Sequence, residues 1–229
     1  MANTLFLRLE GPLQSWGERA RWTVRDSAPE PTKSGIVGLL GCALGLGGDD
    51  DLRSLSKAIR VAVRCDRPGT PLVDYHTVVG GVLSAQNRIK INANTHEAET
   101  VVSHRTYLSD ASFLVAVRCD DGELVQRLAS ALKSPHWPIF LGRKCCVPSL
   151  PPLEGTGDFE SLEAALEARP ARVAGATGET VRLRGVIECE PRSGVRRRDE
   201  VISRAQRTFG PRWTRDTIIA VPVDKGGEP

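Results

Sequence analysis

Ile59-Arg60-Val61-Ala62-Val63-Arg64-Cys65-Asp66 reads as a β-strand, and its last six residues return letter for letter as Val115-Ala116-Val117-Arg118-Cys119-Asp120. Each copy has a helical segment beside it. Ahead of the first, Thr32 or Ser34 offers an N-cap. Ile36, Val37, Leu39, Leu40, Ala43 and Leu44 follow at helical spacing, and Gly45 and Gly47 supply a stop. After the second copy, Glu123 to Lys133 forms the other helix. At the N-terminus Leu5, Leu7 and Leu9 alternate with Phe6 and Arg8, the two-residue period of a strand. In chain order these pieces suggest β-α-β-β-α-β, an α+β, ferredoxin-like plan whose antiparallel central pair is the two repeated strands.

Gly35, Gly38 and Gly41 lie three apart on the first helix, where they lower helix propensity and instead permit close packing. Leu52 to Ala58 is a further helical piece, and Arg21 to Arg25 a short extended one. Between the repeated strands lies a long insertion, Arg67 to Asp110, with strand-like arms at Leu72–Val79 and Val101–Leu108. Its polar, basic tip runs from Gln86 to His96, so the insertion is expected to project as a hairpin. Toward the C-terminus Asp158 is expected to cap an amphipathic helix to Ala168, with Phe159, Leu162 and Leu166 on one face. Thr180–Glu190 and Thr217–Val223 read as strands around an arginine-rich segment. These make a small C-terminal β appendage, and Asp224 to Pro229 is expected to fray. The division is therefore 1–150 for the ferredoxin-like domain and 151–229 for the C-terminal helix and strands.

The 229 residues, 40% hydrophobic and 26% charged, belong to a globular chain and exclude a disordered one, a collagen or a coiled coil. No apolar run is long enough to span a bilayer. The N-terminus reads as a first strand, not a signal peptide. The six cysteines include no C-x-x-C, and Cys145 and Cys146 are adjacent, which suits neither a disulfide framework nor a zinc site. Reduced, core-filling thiols in a cytoplasmic protein are expected. The net charge is +3, but Pro191 to Arg215 holds eight arginines against Asp199 and Glu200. Positive charge gathered in patches can hold a polyanion without a high overall pI.

Most catalytic patterns fail. Pro31-Thr32-Lys33-Ser34-Gly35 has a Lys-Ser pair without the leading glycine of a nucleotide-binding P-loop, although Lys33 and helix-start amides make a phosphate clamp. The glycines from Gly35 to Gly48 sit inside an apolar helix, not in a dinucleotide-binding turn. The four histidines are scattered, so no metal site is expected, and no G-x-S-x-G appears. Metal-independent RNA cleavage stays as the alternative activity, with His76, His96 or His104 as base and Lys90 or Arg105 stabilising charge. The stronger constellation is Gly142-Arg143-Lys144, a close-approach glycine followed by two cations. With Arg105, Gln14, Trp16 and Lys33 it forms a basic surface carrying aromatic and amide readers, suited to single-stranded RNA.

Five blocks together resemble the CasD family, the type I-E CRISPR Cascade subunit that holds the 5′ end of the guide RNA. They are Gly11–Gly17, Pro31–Gly41, Asp74–Val78, Arg105–Phe113 and Leu141–Pro148, in family order across the first two thirds of the chain. Beyond Leu153 the match fades, and the arginine-rich segment has no counterpart. The resemblance implies a RAMP fold of the RRM-like, ferredoxin-like kind with a thumb-like hairpin, here about 80–101. It implies a non-catalytic subunit that binds the 5′ handle of CRISPR RNA and contacts backbone and large subunits in antiviral defence, meeting target DNA only indirectly. No cofactor and no membrane are implied. Arg105, Arg143 and Lys144 would grip handle phosphates, helped by Lys33, Ser34 and the amides around Gly35, with Gly142 allowing close approach. Gln14 and Trp16 would line the handle pocket, and Arg88 and Lys90 would steady the thumb tip. Type I-C relatives cleave with a Tyr, Lys and His set that has no position-by-position match here.

Overall fold

The computed structural model describes residues 2–18, 23–81, 87–172 and 179–223. The elements are β1 (Thr4–Glu10), β2 (Leu13–Gln14), β3 (Val24–Arg25), α1 (Lys33–Leu44), α2 (Asp49–Ala58), β4 (Arg60–Arg67), β5 (Thr70–Val78) and β6 (Val101–Ser109). There follow β7 (Ser112–Arg118), α3 (Gly122–Lys133), β8 (Leu153–Gly157), α4 (Leu162–Glu167), β9 (Thr180–Cys189), β10 (Val195–Ser203) and β11 (Thr208–Pro222). The fold is mixed α+β. A seven-stranded antiparallel sheet runs β10-β11-β9-β4-β7-β1-β8. The repeated hexapeptides face each other at its centre, Val61 opposite Val117, Ala62 opposite Ala116 and Val63 opposite Val115.

Alternation puts Leu5, Leu7, Leu9, Val61, Val63, Val115 and Val117 on one sheet face, under α1, α2 and α3. Phe6, Ala62, Leu114 and Ala116 face the other way and are covered by α4. α1 starts where Thr32 accepts the Gly35 amide and stops at Gly45, whose φ of 74° is the left-handed cap glycine favours. Gly35 and Gly41 do permit close packing: a Cβ would lie 2.7 Å from Trp16 and 2.5 Å from Leu52. α2 carries Asp49, Asp50 and Asp51 in its first turn, the favoured end of the helix dipole for acids.

The insertion folds as the long arms of a hairpin, β5 against β6, in a second sheet with β2 and β3. Residues 82–86 of the expected thumb, Arg21 and Trp22 of the short extended piece, and the expected frayed end lie outside the described residues.

Two local expectations are corrected. Ser161, not Asp158, caps α4, because its hydroxyl accepts the Ala164 amide; Phe159 lies ahead of the helix and meets Phe6 edge-on. The arginine-rich segment is not a connection between strands but itself the β10–β11 hairpin. Its inward positions pair internally, Asp199 with Arg212, so a charge-rich sequence folds as sheet. The seven-stranded sheet draws on both sides of residue 150, β8 pairing with β1 and β9 with β4.

Candidate functional site

A cleft of about 520 Å³ opens where α1, β3, the Gly142–Arg143 loop and the tip of the β10–β11 hairpin meet. Arg25, Arg143, Arg204 and Arg207 line it, and none forms a salt bridge among the described residues. Trp16 and Phe209 supply aromatic wall, while Ser34, Gly35 and Gly38 supply the α1 side. A Cβ on Gly38 would meet nothing within 4 Å, so that glycine faces open space. Glu18 and Asp26 share the lining.

The arginines reach the cleft from three separate elements. Arg143 donates to the Thr106 carbonyl at 3.0 Å and the Arg25 carbonyl at 2.9 Å, and stacks 4.5 Å over the Tyr107 ring. Gly142 makes that loop fit. Its φ is 96°, and a Cβ would sit 1.7 Å from the Ser15 carbonyl oxygen. Arg25 extends from β3, in register with Arg105 on β6. Burial, then the charges of Arg105, Arg207 and Arg143, pull the Arg25 guanidinium below its ordinary pKa, and its Nε is buried without a hydrogen-bond partner. The hairpin tip is moored to α2 by one carboxylate. Asp49 accepts the amides of Arg204 at 3.0 Å and Ala205 at 3.3 Å, and the Ser203 hydroxyl at 2.5 Å.

The sequence-selected residues divide accordingly. Arg105, Arg143, Gly142, Ser34 and Gly35 come together at or beside the cleft, and Lys144 is exposed on the adjoining loop. Lys33 is corrected. It is 3% exposed, with Nζ 3.0 Å from Glu188 and 2.7 Å from Glu200, and its amide donates to Asp199 at 2.9 Å. The start of α1 does hold an anion, but an intramolecular one. Gln14 is corrected too: fully buried, it donates to the carbonyls of Leu9 and Ala111 and accepts from the Trp16 indole. Trp16, 1% exposed, is wall rather than platform. Arg88 and Lys90 lie between the arms, beyond β5 and before β6, with Lys90 paired to Glu99 at 2.9 Å.

Sequence reading missed Arg25, Arg204, Arg207 and Phe209 as site residues. The arginine count of the 191–215 segment was the signal for two of them; nothing local marks Arg25. The cleft lining includes no histidine: His76 lies 3.4 Å from Asp74 on β5, and His104 packs edge-on to Tyr75. Burial pushes the Cys65 and Cys146 thiols up to about 11, so neither is a thiolate at neutral pH. Among the described residues no cluster suits a metal ion, and no helix is long and apolar enough to cross a membrane. Guanidiniums and an aromatic edge around an open cleft can hold a polyanion and pack against flat rings.

Comparison with known proteins sharpens this. Residues 4–215 match the model of the family described as CRISPR-associated protein (Cas_Cas5). Over 178 residues the chain is 35% identical to the CRISPR system Cascade subunit CasD of Escherichia coli (strain K12), covering 72% of this chain and 76% of that protein. A crystal structure of a Cas protein superposes with a TM-score of 0.72 at 36% identity, covering 97% of this chain and 100% of the other. A chain of a CRISPR RNA-guided surveillance complex superposes with a TM-score of 0.75 at 32% identity, covering 96% and 91%.

Proposed function

This chain belongs to the CRISPR-associated Cas5 family as a CasD-type Cascade subunit, and from that premise we propose that it holds the 5′ handle of a CRISPR RNA in the arginine cleft without cleaving it. Its partners on this reading are the guide RNA and the neighbouring backbone and large subunits of a surveillance complex like the one it superposes on. The observation that carries the reading is the gathering of Arg25, Arg143, Arg204 and Arg207 around one opening, with Arg25 pressed against like charges. Such a cluster costs stability in the free protein, and phosphate oxygens offset that cost. Lys144 and Arg105 extend the grip, and Arg88 and Lys90 steady the thumb tip against the guide. Binding is favoured over cleavage because none of the histidines that would act as base lines the cleft.

The architecture is read in the same terms. The order β8-β1-β7-β4, with α1 and α3 on one face, is the ferredoxin-like arrangement of a RAMP domain. Residues 1–150 then form that unit, completed by β8, while β9–β11 from 151–229 extend it and the insertion at about 80–101, between β5 and β6, is the thumb.

Arg25→Gln tests the reading. It is expected to weaken binding of a labelled handle RNA by roughly tenfold, the worth of one charge-assisted hydrogen bond. The dependence of log affinity on log salt should become shallower by about 0.7. Thermal stability should hold or rise, since a repelling charge has gone. Unchanged affinity and salt slope would overturn the cleft as the handle site. Discrete RNA products on a gel run with chelator would overturn the non-catalytic assignment.

A further inference from the structure

The cleft does not end at Arg207. Arg207 and Phe209 also line a second groove of about 650 Å³ on the outer face of the β10–β11 hairpin, together with Arg196 and Arg198. Arg196, Arg198 and Arg207 are exposed and form no salt bridge among the described residues, whereas the neighbouring Arg197 is spent on Glu30 and Arg212 on Asp199. Strand alternation explains the split: Arg196 and Arg198 face outward, while Arg197 and Asp199 face inward, Asp199 to Arg212. Arg196 and Arg198 stand about 7 Å apart along an extended strand, a spacing for successive phosphates of a stretched single strand. Phe209, half-buried between the two openings, offers a ring edge or face where the two join.

We infer that the β10–β11 hairpin carries a second stretch of single-stranded nucleic-acid track, continuous with the cleft, in which Arg196 and Arg198 hold phosphates and Phe209 meets a base. This deepens the handle-binding reading and rests on it. A folded acidic protein surface fits less well, because an aromatic ring between two arginine sets suits alternating phosphate and base.

The test uses the full chain and fluorescent oligouridylates of increasing length, in RNA and DNA forms, titrated by anisotropy. Wild-type affinity should rise with length until both openings are spanned. Arg196→Ala/Arg198→Ala should keep the affinity for the shortest oligomer that binds, lose the gain on lengthening, and show a salt slope shallower by about 1.4 on the long oligomer. Phe209→Leu should weaken the long oligomer roughly tenfold. An RNA-only length effect identifies the continuing guide strand as the occupant, and an equal effect with DNA identifies a general single-strand track; either supports the inference. A double variant indistinguishable from wild type at every length, with an unchanged melting temperature, overturns it. So does a second oligomer binding independently of the first, because the track would then be broken. Failure of the wild type and of Arg25→Gln to differ on the short oligomer overturns the handle-site reading instead.

Discussion

Lys33 and Arg25 contribute to the same corner of the molecule, yet one is fully neutralised and the other is left among cations. Lys33 meets Glu188 and Glu200, while Asp199 holds its amide and Arg212. These partners lie more than 150 residues away, so no local pattern announces that the lysine is taken. Gly142-Arg143-Lys144 stood out as a glycine before paired cations, but what requires the glycine is the seating of its loop against the Ser15 carbonyl, a distant contact the sequence does not announce. Asp199 sets a pH signature. Burial pushes its pKa up, but hydrogen bonding and charge from Arg212, the Lys33 amide and Arg197 outweigh that and hold it below the ordinary value. A carboxylate depressed in the folded state stabilises above its unfolded pKa of about 3.9, and that stabilisation fades as pH falls through the lowered value. Asp199→Asn should therefore cost about 3–5 kcal/mol at neutral pH, the loss expected when a buried pair is broken. Denaturant melts from pH 7 to pH 3 should show the gap to wild type closing below about pH 4; a gap independent of pH would place the cost in the helix start alone.

At the level of elements, α1 was readable nearly to the residue because its cap, its apolar spacing and its terminal glycine are all local signals. The β10–β11 hairpin was not. Eight arginines in the 191–215 segment look like solvated linker until a partner strand pairs the inward ones with Asp199, Glu188 and Glu30. The α1 glycines look equivalent in sequence and are not. Gly35 and Gly41 are filled by Trp16 and Leu52, whereas Gly38 faces the cleft. Gly38→Ala should raise stability by up to about 1 kcal/mol through helix propensity and leave RNA binding nearly intact. Gly38→Leu should fold as well but obstruct the opening and weaken handle RNA at least several-fold. Equal binding by the two variants would mean that RNA does not enter beside α1.

Across the whole molecule, the antiparallel pairing of the two repeated strands was legible because their shared sequence and flanking helices constrain it strongly. The joining of the C-terminal strands to β4 was not, since it depends on a long-range register that alternation alone leaves open. That architecture implies a gradient of opening. Amides of Val61–Val63 and Val115–Val117, at the centre of seven strands, should exchange with solvent last, and those of the exposed β5 arm first. Hydrogen-exchange mass spectrometry finding β5 as protected as β7 would contradict it. The cleft walls include Arg25, Ser34, Gly38, Arg143, Arg204, Arg207 and Phe209, and the hairpin tip is moored by Asp49 only after the final strands have formed. On the handle-binding reading, a chain whose β10–β11 hairpin has not yet docked on α2 has no finished receptor, so capture of a guide would wait for the late strands.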